Sequence, residues 1–226
     1  KPVRQAYAYA LNQELMVNQV LKGRGVPAYH FTPPSIYPGG AEAYDTHAQE
    51  NYPYGYNESQ LDQARQVMEE AGYGPNNRFS VTWTQYQSDT WLEMAQILRD
   101  QLASAYVDMT IEQAPFSTLL QRGREGNLQV YTLGWIADWP APDNFLQLIH
   151  PPNTRTGQTG VLGYVNWGQT DEGMTDAAQR AADAYERVQN NLAPTDEAQQ
   201  VRNEAYIEIE EANWEDVVFL PVYHRL

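Results

Sequence analysis

Residues 134–145 carry the strongest structural signal in the chain and read Gly-Trp-Ile-Ala-Asp-Trp-Pro-Ala-Pro-Asp-Asn-Phe. A strand-like run from Leu128 to Trp135 leads into this stretch, and the prolines that follow cannot continue a hydrogen-bonded ladder. One carboxylate, that of Asp138, lies between two indoles just beyond the predicted strand. This arrangement is typical of a loop that presents a binding site at the end of a sheet.

The segments before this loop alternate between strand and helix patterns. The first predicted strand, Arg78–Gln85, has apolar residues at every second position, and Asp89 is expected to cap the helix that follows. A second strand is predicted at Val107–Glu112 and a short helix at Ser117–Arg124. Strands separated by helices of this length pair in parallel through crossover connections. The pattern therefore predicts an α/β fold with a mainly parallel sheet flanked by helices.

The amino-terminal third is predicted to be mostly helical, with one long irregular connection. An apolar repeat beginning at Val3 indicates a first helix, and Asn12 is expected to cap a second one that ends at Lys22. The stretch Gly25–Tyr56 is rich in proline and tyrosine and is interpreted as an irregular, aromatic-packed loop. A further helix is expected to begin at Asn57 or Ser59.

The last third is predicted to contain helices and one buried strand. Asp143 is expected to cap a short helix over Asn144–Ile149. Two longer helices follow, the first spanning Asp171–Asn190 and the second capped by Thr195. The apolar run Val217–Val222 suits a buried strand.

The composition excludes several classes of function. A formal net charge of −15 disfavours nucleic acid or an anionic membrane as a partner, since both repel an acidic surface. The absence of cysteine rules out disulfides, thiol catalysis and cysteine-based zinc sites. The four histidines lack metal-ligand spacing, so neither a structural metal nor a cofactor is expected. No apolar run approaches the ~18 residues that a membrane span requires.

Several motifs together resemble one family. The opening Val-Arg-Gln-Ala-Tyr-Ala-Tyr-Ala-Leu-Asn-Gln-Glu at 3–14, the loop at 134–145 and the closing Leu-Pro-Val-Tyr-His-Arg at 220–225 match it in order and spacing. The chain is similar to the extracytoplasmic solute-binding proteins of family 5, which are the dipeptide, oligopeptide and nickel receptors of ABC importers. The likeness covers essentially the whole chain.

The resemblance implies a fold and a biological setting. Family members are type II periplasmic-binding-protein clamshells, and residues 1–226 resemble only the second ligand-binding lobe, as a single α/β lobe without its amino-terminal partner lobe. The implied function is the capture of peptides or peptide-like solutes for delivery to the permease subunits in the membrane, without catalysis. The implied location is extracytoplasmic, in the periplasm or at the outer face of the membrane, with lipid anchoring through the missing amino-terminal part.

The resemblance also implies roles for individual residues. An aspartate at the position of Asp138 holds the α-amino group of a bound peptide. Main-chain groups at Ile136 and Ala137 pair with an extended ligand as an added strand, and Trp135 and Trp139 exclude water or stack on the ligand. The candidates for shaping side-chain pockets at the same sheet edge are Tyr86, Gln87, Trp91 and Phe116.

Alternatives remain open at this level. Asp138 would have only a structural role if it capped a turn between two core indoles. The predicted strand at 128–135 has no arginine, and Arg122 and Arg124 lie on the preceding helix, so no basic anchor for a ligand carboxylate is evident and an oligosaccharide ligand remains open. A carbohydrate-active enzyme would use Asp138 and Asp143 as paired carboxylates, and a signalling receptor would report the ligand instead of importing it.

Overall fold

The computed structural model describes residues 1–154, 165–168 and 173–225. In these residues the strands are β1 (Gly25–Pro27), β2 (Phe79–Tyr86), β3 (Val107–Ala114), β4 (Val130–Tyr131) and β5 (Tyr223–Arg225). The α-helices are α1 (Pro2–Ala10), α2 (Gln13–Leu15), α3 (Gly40–Asn51), α4 (Leu61–Glu70), α5 (Asp89–Ala103), α6 (Phe116–Arg124), α7 (Pro142–Leu146), α8 (Asp176–Asn190) and α9 (Asp196–Asp216).

The central sheet is parallel and has the strand order β3-β2-β4. β2 and β3 pair along their whole length, from Phe79 opposite Val107 to Tyr86 opposite Ala114. Alternate residues of β2, including Val81 and Trp83, are buried because successive side chains of a strand point to opposite faces. α5 and α6 connect the strands in sequence, which confirms the predicted α/β fold with a parallel sheet flanked by helices.

β4 is much shorter than the predicted strand Leu128–Trp135. Only Val130 and Tyr131 pair with β2. Before them, the side-chain Oε1 of Gln129 accepts the hydrogen bond from the main-chain N–H of Thr82 at 2.8 Å, so a side chain takes the place of a main-chain partner. Beyond Tyr131 the chain leaves the sheet as an irregular segment. The apolar residues that suggested a strand there therefore lie in a loop.

The amino-terminal helices follow the prediction closely. The side-chain Oδ1 of Asn12 accepts a hydrogen bond from the main-chain N–H of Leu15 at 2.8 Å, as expected of a cap. The predicted second helix consists of α2 and a π-helical segment, Met16–Leu21, and it ends at Lys22 with a φ of 53°. α1 packs against α4 and α5, and together they cover the apolar face of the sheet.

The stretch Gly25–Tyr56 is only partly irregular, which corrects the prediction. It contains β1 and the twelve-residue helix α3, whose buried face carries Tyr44 and Ala48 one turn apart. The glycines and prolines that suggested a loop lie at the ends of this helix and do not interrupt it. Gly39 and Gly40 adopt positive φ values at its start. The predicted aromatic packing is present, because the buried tyrosines of this stretch cluster around Trp214.

The two long carboxyl-terminal helices, α8 and α9, pack against each other. Thr195 caps α9 as predicted, with its side chain accepting from the N–H of Ala198. α8 begins at Asp176 after a Thr175 cap, later than the predicted start at Asp171, which lies outside the described residues. Small alanines on the buried side of α8 allow the close approach of the two helices.

The apolar run Val217–Val222 is not a strand, contrary to the prediction. Val217 ends α9 in the left-handed conformation with a φ of 49°, and Asn213 then binds both main-chain groups of Phe219, through its Nδ2 at 2.9 Å and its Oδ1 at 3.1 Å. The strand follows later as β5, which pairs antiparallel with β1. The side chain of Asn213 therefore takes the main-chain hydrogen bonds of Phe219 that a ladder would have used.

The starts of α4, α5 and α7 differ from the predictions by one to three residues. Ser88, not Asp89, caps α5 and accepts from the N–H of Trp91. α4 begins at Leu61, after Gln60. α7 begins at Pro142 with Ala141 at the cap position, so Asp143 lies in its first turn.

Candidate functional site

The carboxyl ends of the three parallel strands lie at one edge of the sheet. Tyr86 and Ala114, the last residues of β2 and β3, are directly opposite each other, and β4 runs in the same direction beside β2. The segments that follow the strands therefore emerge together at this edge, among them Gln87, Phe116 and the loop 132–141. Open parallel sheets bind their ligands at this edge.

The loop is fastened at both flanks of Asp138. The indole Nε1 of Trp135 donates a hydrogen bond to Oδ1 of Asn144 at 2.7 Å, and the indole Nε1 of Trp139 donates to Oδ1 of Asp143 at 3.3 Å. Both acceptors belong to the first turn of α7. α7 thus supplies the hydrogen-bond acceptors for both indoles, which belong to the tryptophans on either side of Asp138 in the sequence.

Asp138 is exposed, and its carboxylate has no hydrogen-bond or ion-pair partner among the described residues. The alternative in which Asp138 caps a turn requires a main-chain N–H bound to that carboxylate, and none of the described residues supplies one. The flanking indoles also differ from core residues, since Trp135 is half-buried and Trp139 is 44% exposed. The carboxylate is free to receive a cationic group from outside the chain.

Ile136 and Ala137 follow Trp135 in the irregular segment. Ile136 is 88% exposed, and neither residue belongs to the paired register of β2 and β4. Main-chain groups that take no part in a ladder can pair with an added extended chain. The main chain of both residues thus lies outside the ladder of the sheet, and their predicted role remains a prediction.

Three of the four pocket candidates form one aromatic group. The indole Nε1 of Trp91 donates a hydrogen bond to the hydroxyl of Tyr86 at 2.9 Å, and the ring of Tyr86 meets that of Phe116 edge-on, with 5.9 Å between centroids. Phe116 is 55% exposed, whereas Trp91 is 7% exposed and supports the group from the core. Gln87 is exposed beside them. Within the described residues, no hydrogen bond or ring contact joins this group to the Asp138 loop.

Arg122 has an internal partner. Its Nη1 lies 2.8 Å from Oε1 of Glu112, and the hydroxyl of Thr84 donates to the other carboxylate oxygen at 3.0 Å. The Arg122 guanidinium holds the pKa of Glu112 below its usual range. Arg122 therefore lies over the polar face of the sheet near Thr84, paired with Glu112.

Asn144 was not singled out from the sequence as a site residue, although it is fully buried. Its position in an Asp-Asn pair before an apolar run suggested helix entry instead. The sequence signal that could have identified Asn144 was its uncharged amide in the first turn of a short predicted helix. It lies nine residues after Trp135, whose indole N–H needs an acceptor.

The described residues form neither a metal site nor a membrane span. Within the residues that the structure describes, no three histidine, aspartate or glutamate side chains are arranged to hold a metal ion. His30 lies instead in an aromatic cluster, stacked on His47 with 5.1 Å between centroids, and burial lowers its pKa to about 3. Over the same residues, no helix combines the length and apolar character needed to cross a membrane.

The chain belongs to the bacterial extracellular solute-binding proteins of family 5, whose middle region matches residues 1–156. This match confirms the resemblance found in the motifs. It also agrees with the prediction that the function is binding and not catalysis.

Individual relatives extend the comparison. The chain is 24% identical over 230 residues to the periplasmic oligopeptide-binding protein OppA of Salmonella typhimurium, covering 98% of this chain and 36% of that protein. It is 28% identical over 156 residues to heme-binding protein A of Haemophilus influenzae, covering 64% of this chain and 25% of that protein. The chain thus spans a quarter to about a third of these relatives.

The fold matches a solved structure over almost its whole length. The periplasmic murein tripeptide-binding protein MppA, in an unliganded open form, superposes with a TM-score of 0.73 at 22% identity, covering 99% of this chain and 38% of that one. This similarity confirms the fold class.

Proposed function

We propose that this chain is the second ligand-binding lobe of a receptor that captures peptides or peptide-like solutes and delivers them to an ABC-type permease. The observation that carries the proposal is the unpaired carboxylate of Asp138, in a loop at the carboxyl edge of the sheet whose tryptophans on either side of Asp138 in the sequence are both hydrogen-bonded to α7. Two of the similar proteins are named for binding oligopeptides and a murein tripeptide, which supports a peptide-type ligand.

In this proposal Asp138 accepts the α-ammonium group of the ligand. A charge pair at an open surface contributes only about 0–1 kcal/mol, and the contribution grows when water is excluded. In this proposal Trp135 and Trp139, which flank Asp138 in the sequence, supply part of that exclusion. The rest comes from closure of a partner lobe over the ligand, which moves the receptor from an open to a closed state.

The main chain at Ile136 and Ala137 gives affinity without reading ligand side chains. An extended peptide that pairs there adds a strand next to the irregular segment that follows β4. Phe116, Tyr86 and Gln87 then line the space for side chains, with Trp91 as support. Because a main-chain contact is the same for every residue type, the receptor tolerates many peptide sequences.

The proposal includes the remainder of the receptor. In the proposal, the complete receptor also has an amino-terminal lobe, a permease partner and a lipid anchor ahead of the first lobe. The extracellular description of the family supports a location outside the cytoplasm.

An oligosaccharide ligand is the second candidate. Trp139 and Phe116 expose enough ring surface to stack on a sugar, and Arg122 is occupied by Glu112. In that case Asp138 accepts hydroxyl groups of the ligand.

Native mass spectrometry of the complete receptor, purified without denaturation, separates these candidates by weighing what stays bound. A mixture of masses that fit short peptides supports the proposal. A series spaced by hexose units replaces the peptide with an oligosaccharide, and a single porphyrin mass contradicts both.

A further inference from the structure

The contact between Trp135 and Asn144 is the best-defined hydrogen bond of the loop. The N–H of the half-buried Trp135 indole lies 2.7 Å from the Oδ1 atom of the fully buried Asn144. The indole nitrogen can only donate, so the carbonyl end of the amide faces it. Burial of the acceptor shields this hydrogen bond from competing water.

Few other hydrogen bonds among the described residues hold this part of the loop. The segment after Tyr131 has left the sheet, and the main-chain hydrogen bond between the N–H of Ala141 and the carbonyl of Trp139 closes only a local turn at 3.0 Å. The second indole contact, from Trp139 to Asp143, is longer at 3.3 Å and lies at an exposed position. Among the described residues, Asn144 is thus the hydrogen-bond partner that fixes the direction of the Trp135 indole N–H.

The residue type at position 144 fits this task. A carboxylate buried there would add a desolvated charge close to Asp143, whereas an amide oxygen accepts the hydrogen bond without charge. The amide also carries a cost, because its buried Nδ2 atom has no hydrogen-bond partner among the described residues. A leucine would avoid that cost, but it would leave the indole N–H of Trp135 without its acceptor, so the hydrogen bond to Trp135 is what the amide contributes here.

We propose that Asn144 is a positioning residue for ligand binding, which fixes the Trp135 indole and through it the loop that carries Asp138, without touching the ligand itself. This inference rests on the proposed function for its effect on binding. The contact with Trp135 can be tested independently of any ligand.

The test is a double-mutant cycle in the complete receptor with Asn144→Leu, Trp135→Phe and both together. The Leu variant keeps the approximate volume and removes the acceptor, while the Phe variant keeps an aromatic ring and removes the donor. Isothermal titration with the tripeptide Ala-Ala-Ala measures affinity. Asn203→Leu, on the half-buried side of α9, is the matched control and is expected to bind as the wild type does.

Each single variant is expected to weaken binding of the tripeptide about tenfold. The double variant is expected to bind as tightly as the single variant with the lower affinity. Effects that multiply to about a hundredfold would show that Asn144 acts independently of Trp135 and would overturn the proposal. Unchanged affinity in Asn144→Leu would also overturn it.

An NMR measurement separates this inference from the proposed function. Trp135→Phe identifies the indole N–H resonance of Trp135, and Asn144→Leu is expected to move that resonance upfield and to speed its exchange with water. An unchanged resonance contradicts the positioning role whatever the ligand is. A wild-type receptor that binds no peptide contradicts the proposed function, while the shifted resonance still supports the contact.

Discussion

The carboxylate of Glu210 on α9 accepts a hydrogen bond from the main-chain N–H of Phe31 at 2.8 Å, across 179 positions of sequence. Its other oxygen accepts from the N–H of Thr32 at 2.9 Å. Glu210 is 1% exposed, so a single buried side chain satisfies two main-chain donors of the connection between β1 and α3. This contact ties the amino-terminal third of the chain to the last long helix.

The burial of Glu210 makes the stability of the protein depend on pH. Burial raises the pKa of Glu210 from 4.5 to about 7. Between these values the folded protein keeps a proton that the unfolded chain releases, so the free energy of unfolding falls as pH rises. At about 1.4 kcal/mol per pH unit, the loss between pH 4.5 and 7 approaches about 3 kcal/mol.

Urea unfolding of the wild type and Glu210→Gln at pH 5 and pH 7 checks this dependence. From pH 5 to pH 7 the unfolding free energy of the wild type is expected to fall more than that of Glu210→Gln. Glu204→Gln, on the exposed face of the same helix, serves as the control and should show no such shift. A constant difference between wild type and Glu210→Gln at both pH values would contradict the assignment.

Two threonine caps provide a matched pair. Thr175 and Thr195 each accept a hydrogen bond from a main-chain N–H in the first turn of their helix, but only Thr175 also donates to Oδ2 of Asp216, at 2.5 Å. We expect Thr195→Ala to lower the unfolding free energy by about 1 kcal/mol. Thr175→Ala is expected to lower it by about 2–3 kcal/mol, because this variant also loses the charge-assisted hydrogen bond to Asp216. Equal losses in thermal or urea unfolding would show that the Asp216 contact contributes nothing.

Asn213 replaces the strand that was expected at Val217–Val222. Its amide binds both main-chain groups of Phe219 and is 1% exposed. Asn213→Ala is expected to lower the unfolding free energy by about 2 kcal/mol or more, since it leaves two main-chain groups without partners. Hydrogen exchange of the Phe219 amide should accelerate in this variant, and an unchanged exchange rate would refute the role.

The features predicted correctly from sequence are those set by local chemistry. The alternation in β2 and the caps Asn12 and Thr195 each depend on residues within a few positions of one another. The parallel sheet followed because strands separated by helices allow few other pairings.

The features that were missed depend on partners far apart in the chain. α3 was not predicted, because the glycines and prolines at its ends suggested a loop. Its buried face is defined by packing against residues such as Trp214. β4 is short because Gln129 supplies a side-chain acceptor to Thr82, which no local pattern reveals.

The candidate site was predictable in part. The position of Asp138 between Trp135 and Trp139 is visible in the sequence, and the strand order brings the loop to the same sheet edge as Tyr86 and Phe116. The acceptors of the two indoles were not identified, because Asp143 and Asn144 also fit a helix start. Their contacts depend on how α7 folds back toward the loop.

In the proposed function, Asp138 holds the amino group of a peptide ligand. Isothermal titration of the complete receptor and its Asp138→Asn variant with Ala-Ala-Ala, free or acetylated at its amino terminus, tests this claim directly. Asp62→Asn, whose side chain is 94% exposed on α4, is the control.

We expect acetylation to weaken binding to the wild type by about tenfold or more, since it removes the charge that Asp138 pairs with. The Asp138→Asn variant should bind the free peptide correspondingly more weakly and should no longer distinguish the two peptides. Undiminished affinity in Asp138→Asn, or a preference for the free amine that persists in it, would contradict the account.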